Sequence, residues 1–112
     1  MEISVIRARV LAVARSRLWI AVDGTLGAST RPRLRGLLAE WAEGDLEQLF
    51  LDVTGLRCTD GMTAENLRSL FAFAPHARFH LVGASADAQT LLATDPRFVL
   101  HTDLQSAWDA WT

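Results

Sequence analysis

The sequence contains no lysine and no tyrosine, and it carries one cysteine and three prolines. All eleven basic residues are therefore arginine. A Walker-type phosphate loop, a Schiff-base enzyme, a pyridoxal-phosphate anchor and a protein-kinase site each need a lysine, so all four are excluded. The lone Cys58 rules out an intramolecular disulfide framework and every multi-cysteine zinc site. Long apolar runs are missing too. Val10–Ala14 and Leu18–Val22 reach five residues, far short of the ~20 needed to cross a bilayer. Met1-Glu2-Ile3 lacks a basic opening and Arg7 and Arg9 interrupt the next apolar stretch, so no secretory signal and a cytoplasmic location are expected. Nor is there an excess of charge. Eleven bases against thirteen acids leave a net charge of -2, which is no electrostatic footprint for nucleic acid or anionic lipid.

What remains is a chain of 112 residues, half of them hydrophobic and 21% charged, sized for one compact domain spanning residues 1–112. The apolar pattern alternates between strand and helix. Ile3 to Val13 reads as a strand with a wet face, and Ala14-Arg15-Ser16 turns it into a second strand, Arg17 to Asp23. The short connection predicts an antiparallel pair. Gly24 to Ser29 reads as a loop. Thr30 as N-cap and Pro32 in the first turn open a helix whose stripe is Leu34, Leu37, Leu38 and Trp41, with Gly44 as its end.

Leu49 to Val53 is a buried strand, and a second helix carries Leu67, Leu70, Phe71 and Ala74 before Pro75. Phe79 to Val82 is a strand, Ala88, Leu91 and Leu92 mark a third helix, and Phe98 to Leu100 is a last short strand. Asp103 caps a final helix with the stripe Leu104, Ala107, Trp108 and Trp111. The predicted order is β-β-α-β-α-β-α-β-α, an α/β domain with a mixed, mostly parallel sheet of four to five strands and about four helices. Ligand-facing loops then lie at the strand C-termini, which singles out Gly24–Thr30 and Thr54–Thr63.

His76 and His80 stand four apart, but Pro75 and a strand between them break helical ligand spacing, so no metal is expected. Cys58 precedes a helix N-terminus, which lowers a thiol pKa, yet it also fits an apolar slot between strand and helix; the buried thiol is the preferred reading. Gly24–Thr30 has the look of a phosphate-cradling turn without the spacing of a dinucleotide fingerprint, so a plain strand-to-helix turn is preferred. Asp60-Gly61-Met62-Thr63 has the form of a helix N-terminus with Asp60 as cap and Met62 in the first turn. Met62 either folds back onto the core or forms a contact, and the sequence leaves both open. Trp108 and Trp111 read as core, with one ring partly exposed as the alternative.

Two segments together resemble the STAS domains of bacterial anti-sigma factor antagonists. Gly24-Thr25-Leu26-Gly27-Ala28-Ser29-Thr30-Arg31-Pro32-Arg33-Leu34-Arg35 is similar to the family's Gly-x-Leu-Asp-Ala-x-Thr-x-Pro-x-Leu segment, and Leu51-Asp52-Val53-Thr54-Gly55-Leu56 to its Leu-Asp-Leu-Ser-Gly-Val strand end. Asp60 falls where the family's Asp-Ser-Ser/Thr-Gly turn begins, and Asp103–Ala107 resembles its closing helix. In that family the hydroxyl after the aspartate is phosphorylated by a partner kinase, which releases the antagonist. Here Gly61 and Met62 stand at those positions, Thr63 replaces the following glycine and Gly27 replaces the first loop's aspartate. The resemblance implies a non-enzymatic protein-binding module with a degenerate phosphorylation switch and no cofactor. Its partner would be a histidine-kinase-like anti-sigma factor or a related regulatory assembly, with a second copy of the chain as a further candidate. The expected partner surface is Gly27, Ala28, Ser29, Thr30, Thr59, Asp60, Gly61, Met62 and Thr63. A cytoplasmic accessory subunit of a membrane transporter is the second reading.

Overall fold

Two arginine-bearing strands open the fold. In the computed structural model, which describes residues 5–42, 46–59 and 61–112, β1 (Ile6–Ala14) runs antiparallel to β2 (Arg17–Leu26) across a turn where Arg15 takes a positive φ of 46°. A bulge between Val10 and Ala12 inserts one residue and reverses the side-chain parity of β1. Ile6 and Ala8 therefore pack on one side of the sheet, and Ala12 and Ala14 on the other.

After α1 (Arg31–Trp41) come β3 (Gln48–Asp52), β4 (Leu56–Cys58), α2 (Ala64–Ser69), β5 (Arg78–Val82), α3 (Ala86–Leu92), β6 (Phe98–His101) and α4 (Leu104–Trp111). The sheet order is β1-β2-β3-β5-β6, with every pair after the first parallel. Short β4 pairs in parallel with the last three residues of β2. The expected alternation of strands and helices is present, with one strand added. Gly24–Leu26, expected as loop, continues β2, because Leu56–Cys58 supplies a partner for its backbone. The expected strand start at Ile3 and helix end at Gly44 lie outside the described residues.

The two faces of the sheet are covered differently. One face buries Ile20, Val22, Leu49, Leu51, Phe79 and Leu81 against α1, α2 and α3, whose Leu34, Leu38, Leu67 and Leu92 complete the main core. Fully buried side chains of this size contribute about 1.5–3 kcal/mol each relative to exposure. The opposite face has α4 alone, and its core is a small aromatic group: Trp19, Phe50 and Val82 with Ala107 and Trp111. Asp103 caps α4 by accepting from the Ser106 N–H at 2.8 Å, and the Arg17 guanidinium donates to the Trp111 carbonyl at the other end. The expected stripe of α4 is half right. Ala107 and Trp111 are buried, but Leu104 and Trp108 are exposed, because a single helix leaves the β1–β2 side of this face open.

Candidate partner-binding site

Both singled-out segments lie at the C-terminal edge of the parallel strands, and β4 is what joins them. Its pairing sets Gly24, Thr25 and Leu26 beside Leu56, Arg57 and Cys58, and the Thr59 N–H then donates to the Leu26 carbonyl at 3.0 Å. Beyond β2 the chain tightens into a turn. The Thr30 and Arg31 N–H groups both donate to the Gly27 carbonyl, at 3.2 and 2.9 Å. The Thr30 hydroxyl accepts from the Gly27 N–H at 3.0 Å and donates to the Thr25 carbonyl at 2.6 Å. Thr30 is indeed the residue before α1, but its hydroxyl closes this turn and makes no bond to the helix N–H groups. Thr30 and Gly27 are buried, so neither offers a side chain to a partner.

Gly27 marks a close approach. A Cβ there would stand 3.0 Å from the Thr59 methyl and 3.1 Å from its hydroxyl, so a larger residue requires Thr59 to move. The aspartate that the family pattern places at this position would meet Thr59.

The second segment corrects the sequence reading of α2. Its N-cap is Thr63, not Asp60, which lies outside the described residues. The Thr63 hydroxyl accepts from the Asn66 N–H at 3.1 Å, and the Asn66 side chain accepts from the Thr63 N–H at 3.2 Å, a reciprocal capping box. Met62 therefore precedes the helix instead of sitting in its first turn. It is half-buried and packs on the main core, with Met62 and Leu67 at the positions of a hydrophobic staple. It lines a shallow groove with Thr59, Gly61, Ala88 and Leu91, facing α3. Arg31 and Glu65 both line a separate groove between α1 and α2. Gly61 is exposed in the left-handed region at φ 84°, where a side chain is strained. Exposed atoms at this end thus belong to Ala28, Ser29, Thr59, Gly61 and Thr63, small residues on a backbone-tied frame.

Cys58 lies in β4 and packs on the core; burial pushes its thiol pKa up, and Asp87 adds to the effect. This favours the neutral thiol, as expected of a structural cysteine.

One polar cluster escaped the sequence reading. On the α4 face, His80 Nε2 lies 2.9 Å from Gln48 Oε1, His80 Nδ1 lies 2.9 Å from His101 Nε2, and His101 Nδ1 lies 2.8 Å from the Ser106 hydroxyl. With both rings neutral, Ser106 donates to His101, His101 to His80, and His80 to Gln48. His80 is buried and stacks on Phe50 at 4.1 Å between centroids. Its pKa falls to about 4, chiefly through burial and then through His101 and Arg78. His101 is lowered as well, again mainly by burial. The chain of bonds fastens β3, β5 and β6 to α4. The signal was the alternation of strand side chains, which puts residues 80 and 101 on one face once the β5–β6 register is known.

Three solved structures share this architecture. An anti-sigma factor antagonist from Mycobacterium paratuberculosis matches with a TM-score of 0.71 at 18% identity, over 95% of this chain and 93% of that one. The Bacillus cell fate determinant SpoIIAA in its phosphorylated form matches at 0.65 and 15% identity, over 95% and 100% of the two chains. An RsbS variant from Moorella thermoacetica matches at 0.62 and 22% identity, over 93% of each. No protein-family model and no curated protein matches the sequence. The chain has the SpoIIAA-like, STAS-like fold that its two loop segments resemble.

Proposed function

We propose that this chain is a regulatory protein-binding module of the anti-sigma factor antagonist type, one that acts by binding alone and carries no serine or threonine phosphorylation switch. The observation that carries the reading is the segment ahead of α2. Gly61 is a left-handed glycine, Met62 is drawn into the core, and the Thr63 hydroxyl is engaged as the α2 cap. A phosphate on Thr63 would replace the acceptor that holds Asn66, and Thr59 packs beside Gly27. The contact surface is then always available: Ala28, Ser29, Thr59, Gly61 and Thr63, with Arg31 and Glu65 beside it. Its partner is a histidine-kinase-like anti-sigma factor or a related regulator in the cytoplasm.

The test is affinity capture with the whole chain as bait, followed by calorimetric titration of the recovered protein. Ala28→Glu places a charge at the centre of the surface and is expected to weaken binding at least about tenfold, the loss typical of a disrupted interface centre. If Ala28→Glu binds as the unaltered chain does, the surface is elsewhere and the reading fails.

A further inference from the structure

Among the described residues, the six exposed large hydrophobic side chains all lie at β1 or on α4. They are Val5, Val10, Leu11 (49% exposed) and Val13 (69%), and Leu104 (57%) and Trp108 (49%). Val10 and Val13 pair with Ile20 and Leu18 and so stand on the main-core face, while Leu11, Leu104 and Trp108 come together on the α4 side. The loop end of the molecule has none. The two elements border one groove of about 440 Å³, lined by Leu11, Ala12, Trp19, Leu104, Gln105 and Trp108, with Asp52 as its one charged residue. Beneath it the Trp19 indole N–H is buried without a hydrogen-bond partner, packed among Phe50, Trp108 and Trp111. β1 is also an edge strand, with one side of its backbone unpaired. A patch this apolar, open on a free sheet edge, marks an interaction surface.

The charges around the groove are unevenly divided. The β1–β2 hairpin carries Arg7, Arg9, Arg15 and Arg17 against one described acid, Asp23, and Asp52 lies in the groove itself; α4 and its cap carry Asp103 and Asp109 and no base. Arg7 and Arg9 pair with Asp23 and Ala21, which alternate with Trp19, so both arginines stand on the α4 face. The only ion pair among the described residues is Arg97 with Asp95, so the β1 guanidinium groups have no carboxylate partner among them. A two-fold axis along the groove would bring β1 of one molecule over α4 of another, and the reverse, matching apolar to apolar and base to acid at once.

We infer that this face is the interface of a symmetric homodimer, in which β1 of each chain packs on α4 of its partner. The occupant is a second copy because one patch holds both halves of the complementarity. The interface is separate from the loop surface and does not depend on its role.

Sedimentation equilibrium of the whole chain tests the inference. The expected mass is twice the 12.3 kDa of one chain at micromolar concentrations, with dissociation favoured by high salt. Leu104→Glu puts a carboxylate at an exposed first-turn position where acids suit the helix, so the monomer is expected to stay folded while dimerisation weakens at least about tenfold. Arg9→Glu is expected to weaken the dimer, and adding Asp109→Arg to it is expected to restore most of the loss. Circular-dichroism melts confirm that each variant is folded. A chain that stays monomeric at about 100 μM, well above the micromolar range of ordinary association, overturns the inference. So does a dimer indifferent to Leu104→Glu, or one that the second charge reversal fails to rescue.

Discussion

The loop end and the β1/α4 face are opposites in construction. At the loop end, backbone hydrogen bonds, the buried Thr30 and the half-buried Met62 are committed to holding the frame, and what reaches the surface is small. On the β1/α4 face, a buried aromatic group supports Leu104 and Trp108, which stay about half exposed. Apolar area removed from water is the main source of association energy, so the two surfaces suit different tasks. The loop end favours specific recognition by shape and backbone, and the β1/α4 face favours tight packing.

The largest expected effect strikes the support of the second surface. Trp111→Ala removes a ring that packs on Trp19 and Phe50 and lies beneath the Arg17 guanidinium. It should cost about 3–5 kcal/mol in urea unfolding. A loss below about 1 kcal/mol would mean that the aromatic group does not hold α4, since ordinary surface changes fall in that range.

Acid should act on the same face. His80 is buried neutral with a pKa near 4, so the unfolded chain takes up a proton at higher pH than the folded one. The stability it contributes is complete above the unfolded value of about 6.5 and is lost as pH falls toward 4, by up to about 3 kcal/mol. His101 shifts in the same direction. Denaturation curves between pH 7 and 4 should show this acid limb, and His80→Gln, which cannot titrate, should flatten it. An unchanged limb would place the proton uptake elsewhere.

Met62 and Leu104 sharpen the comparison directly. Each is an apolar residue close to a helix N-terminus, but Met62 packs on the core and Leu104 does not. Met62→Glu should cost about 1–2 kcal/mol of stability through lost burial, while Leu104→Glu should change the stability of the monomer by less than about 0.5 kcal/mol. Thermal melts at concentrations below dimerisation decide between equal and unequal costs. The smallest effect is expected at Gly61: Gly61→Ser, which returns a hydroxyl to the loop, should cost about 1 kcal/mol because a side chain is strained at positive φ.

The element order was legible because its signals are local: apolar stretches of strand length, helical stripes at i, i+3, i+4, and the Thr30–Pro32 and Asp103 helix starts. β4 was not, since Leu56-Arg57-Cys58 is three residues without alternation and exists as a strand only through pairing with Gly24–Leu26. The start of α2 was misplaced because aspartate and threonine both cap helices; the reciprocal Thr63–Asn66 spacing was the better signal. That error moved Met62 from a helix turn to a staple and changed its role. The His80–His101 contact needed the register of two strands, and the exposure of Trp108 needed the knowledge that α4 covers its face alone. Both belong to tertiary packing, which a periodic pattern does not contain.

The central claim is a binding surface without a phosphoryl switch, and one measurement addresses it most directly. The whole chain is incubated with its recovered kinase-like partner and ATP, then read by intact-mass spectrometry and peptide mapping. The expected result is an unmodified chain that stays bound whether or not ATP is present. A stoichiometric phosphate on Thr59 or Thr63, accompanied by release of the partner, would contradict it.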